Sequence, residues 1–368
     1  MSVLVNILET YYMAGLWEGL SPVPTFFRDR YFPTGAGDIY AADKVLVEYK
    51  DGDNDMAPFM VMGADPINVK REGYEIHEYS PLYISQSRNL TADQLKQRGF
   101  GEAILSKSTE EERAAKLVSD DLALLERRFS RSEEYLCVQV MINNGFTIQE
   151  HLDETNTRTA QIKYYDPLGS NDGAYTITQW DNTTTFADVA ADIEAMCDSL
   201  SERGLPAVDL VIGRKVRDFL LRMSDFRDLV NKQSGIIVAE GGIRQTLSQY
   251  DGVTFLGTIN FNGYDLNVIV SNEQYTALSG SPLAPTRTNY FPATSMMVTA
   301  PNAGHLMYAH IVHMDEDGEI ETITGKRVPD LFVDRKKKKR EIILESRPLA
   351  APQNYSPWVY AAGVVAAS

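Results

Sequence analysis

The sequence predicts an α+β fold. Three observations carry that expectation. The stretch Thr109 to Asn143 has the apolar spacing of one very long helix. Strand-like segments lie both before and after it. Strands and helices do not alternate as a βαβ repeat would require, and no internal repeat or low-complexity tract is present.

The long helix justifies itself residue by residue. Ser108 and Thr109 are each followed three residues on by a glutamate, Glu111 and Glu112, a doubled capping box. Ala114, Leu117, Val118, Leu122, Leu125, Phe129, Leu136 and Val140 recur at helical spacing. Glu110, Arg113, Lys116, Glu126, Arg127, Arg128 and Arg131 fit on one wet face. No proline interrupts, and Gly145 stands where a C-terminal cap is expected. Such a helix would be about 50 Å long.

Upstream, Ser2 to Gly19 reads as an amphipathic helix or arm, ended by Ser21, Pro22 and Pro24. The run from Phe26 to Pro33 is aromatic and charged at once. It suits either a helical turn docking on its own core or a segment docking on a neighbouring subunit. Asp38 to Tyr49 and Gly73 to Ser85 alternate as strands and predict a long, partly exposed hairpin, with Val45, Val47 and Tyr49 on one face. So sparse an apolar face needs a partner surface. Leu90 to Arg98 reads as a short helix broken at Gly99 and Gly101.

Downstream, Thr147 to His151 and Thr159 to Tyr165 are strand-like, with a turn at Asp166 to Gly169. Asn182 to Thr185 cap a helix from Phe186 to Arg203. Val208 to Gly213 reads as a buried strand, followed by helices Lys215 to Met223 and Ser224 to Asn231. Residues 254–262 and 264–270, split by Asn262-Gly263, predict a hairpin with a primed turn. Ser279 to Arg287 is a loop, and Ser295 to Ala300 is strand-like. Further strands are expected at Leu306 to Met314, Glu319 to Ile323, Val328 to Asp334, Glu341 to Glu345 and Asn354 to Ala362.

Composition narrows the function. A chain of 368 residues can bury a sizeable core as one large or two intertwined domains. Its net charge of −16 argues against overall attraction to nucleic acid, and suits either a surface lining a DNA-filled space without gripping the DNA or a soluble acidic enzyme. Cys137 and Cys197 are far apart and predict buried, reduced thiols. No signal-peptide pattern or membrane-spanning apolar run is read, which predicts a protein made in the cytosol.

Chemistry finds little to stand on. On a continuous strand His310 and His313 would face opposite ways, and same-face His305 and His313 would lie roughly 27 Å apart. Asp51 to Asp55 starts like a calcium loop, but position twelve is Met62 and position six is not glycine. Gly35-Ala36-Gly37 lacks the lysine of a phosphate loop, and no G-x-S-x-G occurs. No carboxylate pair is marked out by an apolar setting on one element. A hydrolase built on His151, Asp153 and Glu154 would need a nucleophile that the pattern does not supply. No catalytic residue, cofactor or metal site is expected. The strong charge run is Arg335 to Arg340; without interleaved aromatics it suits a surface or interface better than direct nucleic-acid contact.

The order of parts is itself informative: arm, exposed hairpin, long helix, compact second lobe, returning C-terminal strands. Together with Phe26-Phe27-Arg28-Asp29-Arg30-Tyr31-Phe32-Pro33, the helix with Gly145, Arg327 to Asp334, Glu345 to Leu349 and Pro352, it resembles the major capsid proteins of tailed bacteriophages, in the lambda-type capsid E family. The resemblance runs from about Phe26 to Val365. It implies a Hong Kong 97-type fold, with residues 1–36 as N-terminal arm, 37–90 as E-loop, 91–180 as peripheral domain with its spine helix, 181–325 as axial domain and 326–368 as C-terminal peripheral strands. It implies hexamers and pentamers of an icosahedral head, assembled in the host cytoplasm around double-stranded DNA. Portal, scaffolding and decoration proteins are the implied partners. Subunit contacts are expected at Phe27, Arg28, Arg30, Tyr31, Glu48, Lys50, Arg71, Arg127, Arg128, Lys336 and Lys338. Lys44, Lys50 and Lys70 lie in or near the E-loop, but lambda-type shells lack Lys–Asn cross-links, and none is expected. The rival readings are a nucleic-acid-binding protein using Arg335 to Arg340 and an encapsulin-like compartment shell.

Overall fold

The protein was described from a computed structural model, which covers residues 23, 25–49, 75–91, 110–151, 157–164, 174–234, 252–276, 287–314, 320–334 and 339–366. Expectations for the arm at Ser2 to Gly19, the caps Ser108 and Thr109, the Asp51 to Asp55 turn, Gly99, Gly101, Asp166 to Gly169 and most of the Ser279 loop lie outside those residues.

The long helix is present as Glu110–Asn143, 34 residues. Its buried stripe is Val118, Leu122, Leu125, Phe129, Leu136 and Val140, while Arg127, Arg128 and Arg131 are exposed. The residue that turns the chain is Asn144, with φ 52, one position earlier than expected. Gly145 follows at φ 149 and opens the strand Gly145–His151. A Cβ there would lie 2.2 Å from the Ile162 carbonyl oxygen, because the partner strand Thr157–Lys163 crosses directly over it.

A six-stranded mixed sheet forms the wall between two cores. Its order is Ala174–Tyr175, Trp358–Ala361, Met296–Thr299, Asp209–Ile212, Tyr264–Ser271, Val253–Phe261. Its central residues alternate between the cores: Leu210, Ile212, Met296 and Val298 face one, Val211 and Met297 the other. Burial on both faces explains the unbroken apolar reading of these strands. The first core is closed by the helices Phe186–Ser201, Arg214–Arg222 and Ser224–Ser234. Thr185 caps the first of these in a capping box with Asp188. At the sheet edge, Asn262 and Gly263 both take positive φ, as the primed turn requires.

The second core lies between that sheet, the C-terminal half of the long helix, and a small sheet of Ile39–Tyr40, Gly304–Ala309 and Pro348–Pro352. The helix also packs on a third sheet, Val328–Asp334, Lys339–Ser346 and Ile84–Thr91, where Leu125 and Phe129 meet Leu344. Both cysteines are buried and free.

Some expectations are corrected. Leu90 and Thr91 end the strand Ile84–Thr91 and do not start a helix, because Lys339–Ser346 offers them a ladder. Leu306 to Met314 is not one strand. It breaks at His310, since Gly304–Ala309 pairs with Pro348–Pro352 whereas Ile311–Met314 pairs with Ile320–Ile323. Pro348–Pro352 is itself a strand, and the last strand starts only at Trp358. Arg287 begins a short strand paired with Gln274–Thr276.

The predicted hairpin pairs Val45–Tyr49 with Glu75–Tyr79. Val45 and Val47 are buried against the subunit's own second core, and Leu46 on the other face is 50% exposed. Its base is pinned by Arg347, which donates to Asp43 at 3.0 Å and to the His310 carbonyl at 3.0 Å.

Candidate functional site

The short aromatic helix Phe26–Tyr31 is where the two cores are tied together. Phe26, Phe27, Tyr31 and Phe32 are fully buried, and Phe27 stacks on Phe291. The reading in which these aromatics dock on their own subunit describes their positions here. Thr25 at the N-cap makes no side-chain cap bond. The cap comes from another element: the Glu134 carboxylate, on the long helix, accepts from the N–H of Phe27 at 2.8 Å and of Arg28 at 2.9 Å. A carboxylate at a helix N-terminus satisfies orphaned donors and complements the dipole.

The two arginines of the same turn then reach in opposite directions. Arg28 bonds Glu133 at 3.2 Å on the long helix. Arg30 grips Asp209 on the central strand with bonds of 2.6 and 2.8 Å. Tyr31 and Asn267 also donate to Asp209, at 3.2 and 3.0 Å. One helical turn thus joins the spine to the six-stranded sheet.

Glu133 is the hub of a wider buried cluster. Besides Arg28 it accepts from Tyr308 at 2.9 Å and from both terminal nitrogens of Arg327, at 2.5 and 2.9 Å. Arg327 also bonds Glu126 at 2.8 and 3.2 Å and the Ser346 hydroxyl at 3.1 Å, and lies over the Phe129 ring. Burial pushes the Glu133 carboxyl up, but Arg327, Arg28 and the Tyr308 hydroxyl outweigh it and hold the carboxyl below its ordinary value. Its neighbour behaves oppositely. Burial pushes Glu134 up to about 7, against the pull of the two backbone N–H groups. The expectation that no carboxylate pair is set apart by an apolar environment is therefore corrected. Glu133 and Glu134 are such a pair, and their partners Phe27, Arg28, Tyr308 and Arg327 tie elements of the fold together.

The residues expected at subunit contacts fall into three groups. Phe27, Arg28, Arg30 and Tyr31 are engaged inside the subunit as just described. Arg127 and Arg128 are exposed on the helix face opposite the core. Glu48 lies in the hairpin strand opposite Ile76; Lys50, Arg71, Lys336 and Lys338 lie outside the described residues, as does Lys70. The residues that sequence reasoning missed are Glu133, Glu134, Asp209 and, as a buried charge, Arg327. The spacing offers a hint for Glu133 alone, which sits four residues after Phe129 and three before Leu136, but a glutamate there fits the wet face as readily.

The three histidines of the 305–313 stretch go to three different carboxylates: His305 to Asp38 at 3.5 Å, His310 to Asp43 at 3.3 Å, His313 to Asp330 at 3.7 Å. Among the described residues no cluster of His, Cys, Asp or Glu is placed to hold a metal ion. Nor is any helix among them long and apolar enough to cross a membrane.

A spine helix, a base-anchored hairpin and a separate sheet-and-helix lobe locked together by one arginine-bearing turn define a shell-forming subunit of the Hong Kong 97 type. Solved structures share this fold. A protein described as a capsid protein of a prophage of E. coli CFT073 is similar at TM-score 0.63 and 16% identity, over 96% of this chain and 98% of that one. A phage-related protein from Bordetella bronchiseptica RB50 is similar at TM-score 0.53 and 10% identity, over 97% and 98%. No curated protein matches this sequence. The chain belongs to the phage major capsid protein E family, whose model matches residues 9–362. It is a major capsid protein: it self-assembles into the icosahedral shell of a bacteriophage, and its place is the virion head.

Proposed function

We propose that the subunit builds hexamers and pentamers around double-stranded DNA through its hairpin, the outer face of its long helix and the basic segment 335–340, and that its role is structural and not catalytic. The observation that carries this reading is the two-sidedness of the spine. One face is sealed by Leu122, Leu125, Phe129 and Glu133, while Arg127 and Arg128 are held outward by a rigid rod. The exposed Leu46 face of the hairpin supplies a second contact of the same kind. The acidic net charge favours a shell interior along which packaged DNA slides. Portal, scaffolding and decoration proteins are its further partners, and subunits are joined without Lys–Asn cross-links.

Electron microscopy of the purified chain tests this. Rings and closed shells are the expected result. Monodisperse monomers at high concentration with scaffold present would sink it. Shells that co-purify with a cargo enzyme would favour the compartment reading, and a DNA affinity abolished by charge reversal at Lys336 to Lys339 the nucleic-acid reading.

A further inference from the structure

The sheet of Ile84–Thr91, Lys339–Ser346 and Val328–Asp334 has two unlike faces. Ile342 and Leu344 turn toward the long helix and are buried. On the other face the register sets Phe332 beside Glu341 and Asn89, Asp330 beside Ile343 and Ser87, and Val328 beside Glu345 and Ser85. Those positions carry three carboxylates; the next rung of the ladder is Asp334, Lys339 and Thr91, and His313 stands 3.7 Å from Asp330. Phe332 is 57% exposed, and Tyr83, which donates to Glu345, is 53% exposed. Burial lifts the Glu345 carboxyl above its ordinary value; the Tyr83 hydroxyl and His313 oppose the lift, and the charge of Asp330 adds to it. The face is thus aromatic and part-desolvated, with carboxylates outnumbering its basic groups, a surface that suits an arriving cation.

The complementary chemistry is carried by every copy of the chain. Arg335 to Arg340 is six consecutive cations, and it leads from the edge strand Val328–Asp334 into the central strand Lys339–Ser346 of this same sheet. A copy's own segment can reach Glu341, two residues beyond Lys339 on the same strand, but not the rest of its own face. The ladder closes at the Asp334–Lys339 pair. Asp330 lies four residues back along its strand, roughly 13 Å, and Glu345 six residues beyond Lys339, roughly 20 Å. Both spans exceed a lysine side chain.

We propose that this face, made by Tyr83, Asp330, Phe332, Glu341, Ile343 and Glu345, receives the basic segment Arg335–Lys338 of a second copy of the chain. The contact rests on the shell reading above and names the partner of the basic segment within it. It is heterologous, tip to face, so it propagates around a ring and closes where the rotation permits. Opposite charge fixes its register and excludes tip-to-tip approach. The two aromatic faces suit an ammonium or a guanidinium.

Carbodiimide cross-linking of intact shells, assembled from a mixture of isotopically light and heavy chains, tests this directly. The expected product is a mixed light–heavy peptide joining Lys336, Lys337 or Lys338 to Asp330, Glu341 or Glu345. Only unmixed peptides, or links from those carboxylates to Lys44 of the hairpin, would overturn it. Charge exchange gives the second arm. Lys336→Glu with Lys338→Glu, or Asp330→Lys with Glu341→Lys, should each cut the yield of shell about tenfold or more. Both pairs exchanged in one chain should restore it. A fourfold variant no better than either double variant, with all of them folded by circular dichroism, overturns the contact, as does a tip variant that assembles normally but has lost DNA affinity. If the wild-type chain never forms shells, the shell reading falls and this contact falls with it; shells lacking the mixed peptide overturn the contact alone.

Discussion

Arg327 holds Glu133 in a two-pronged grip, with bonds of 2.5 and 2.9 Å between side chains almost wholly removed from solvent. The pair links the residue just before the strand Val328–Asp334 to the C-terminal half of the spine helix, 194 residues earlier in the chain. Taking both charges out of water is expensive, and the fork geometry, Glu126, Tyr308 and Ser346 offset that penalty by satisfying the remaining donors and acceptors. What the arrangement supplies is register. The Arg327 fork fits only where Glu126 and Glu133 stand one heptad apart on the same stripe.

Removing one member should therefore be far worse than its share of the attraction suggests. Glu133→Ala leaves Arg327 and Arg28 facing a void, and the expected loss is about 3–5 kcal/mol of subunit stability. Glu126→Ala, at a part-exposed position, should lose only about 1 kcal/mol. Urea unfolding of unassembled subunits reads both. Equal losses in the two variants would show that Glu133 is not the hub.

Glu134 predicts a pH dependence of opposite sign to ordinary acid denaturation. Its carboxyl is raised in the fold, from 4.5 to about 7, so the folded state binds more proton than the unfolded chain in that window. Its contribution is fully present below pH 4.5 and is lost as pH rises through about 7. Glu133, held low, contributes above its unfolded value and loses that contribution as pH falls through its lowered folded pKa. Glu134→Gln should flatten the decline in stability between pH 5 and pH 8, by on the order of a few kcal/mol. Denaturant midpoints at the two pH values measure it. An unchanged slope in the variant would assign the decline elsewhere.

The tie from Arg30 to Asp209 makes a separate prediction about cooperativity. Asp209→Ala strands Arg30 and removes the acceptor of Tyr31 and Asn267, an expected loss of about 3 kcal/mol or more. More diagnostic is its distribution. The aromatic turn is the polar bridge between spine and sheet, so hydrogen exchange should rise at Phe27 to Phe32 and along Asp209–Ile212, and much less along Val118 to Phe129. A uniform rise would point to global destabilisation alone.

Those same residues mark where sequence reading stops. The long helix, the Thr185 cap and the Asn262-Gly263 turn were legible because each is decided within a few residues. Glu133 and Glu134 were not, since two glutamates in an amphipathic helix fit a wet face as readily as a buried one. Their partners Phe27, Arg28 and Arg327 are supplied from opposite ends of the chain. The break at His310 was hidden for a related reason. The run from Leu306 to Met314 is strand-like throughout, and only the competing partners Pro348–Pro352 and Ile320–Ile323 divide it. Leu90 likewise changed identity because a distant strand offered it hydrogen bonds.

The two faces of the spine should separate folding from assembly. Leu122 is fully buried, so Leu122→Asp places a charge among apolar neighbours and should leave no folded subunit at all. Arg127 and Arg128 are exposed, so Arg127→Glu with Arg128→Glu should change subunit stability by no more than about 0.5 kcal/mol. If this face meets another subunit, the same pair of substitutions places like charge against like, or removes a steering attraction. Thermal unfolding should then match wild type while sedimentation shows free subunits in place of shells. Normal shells from the double variant would remove the outer face of the helix from the interface and leave the hairpin and the acidic sheet face as the remaining contacts.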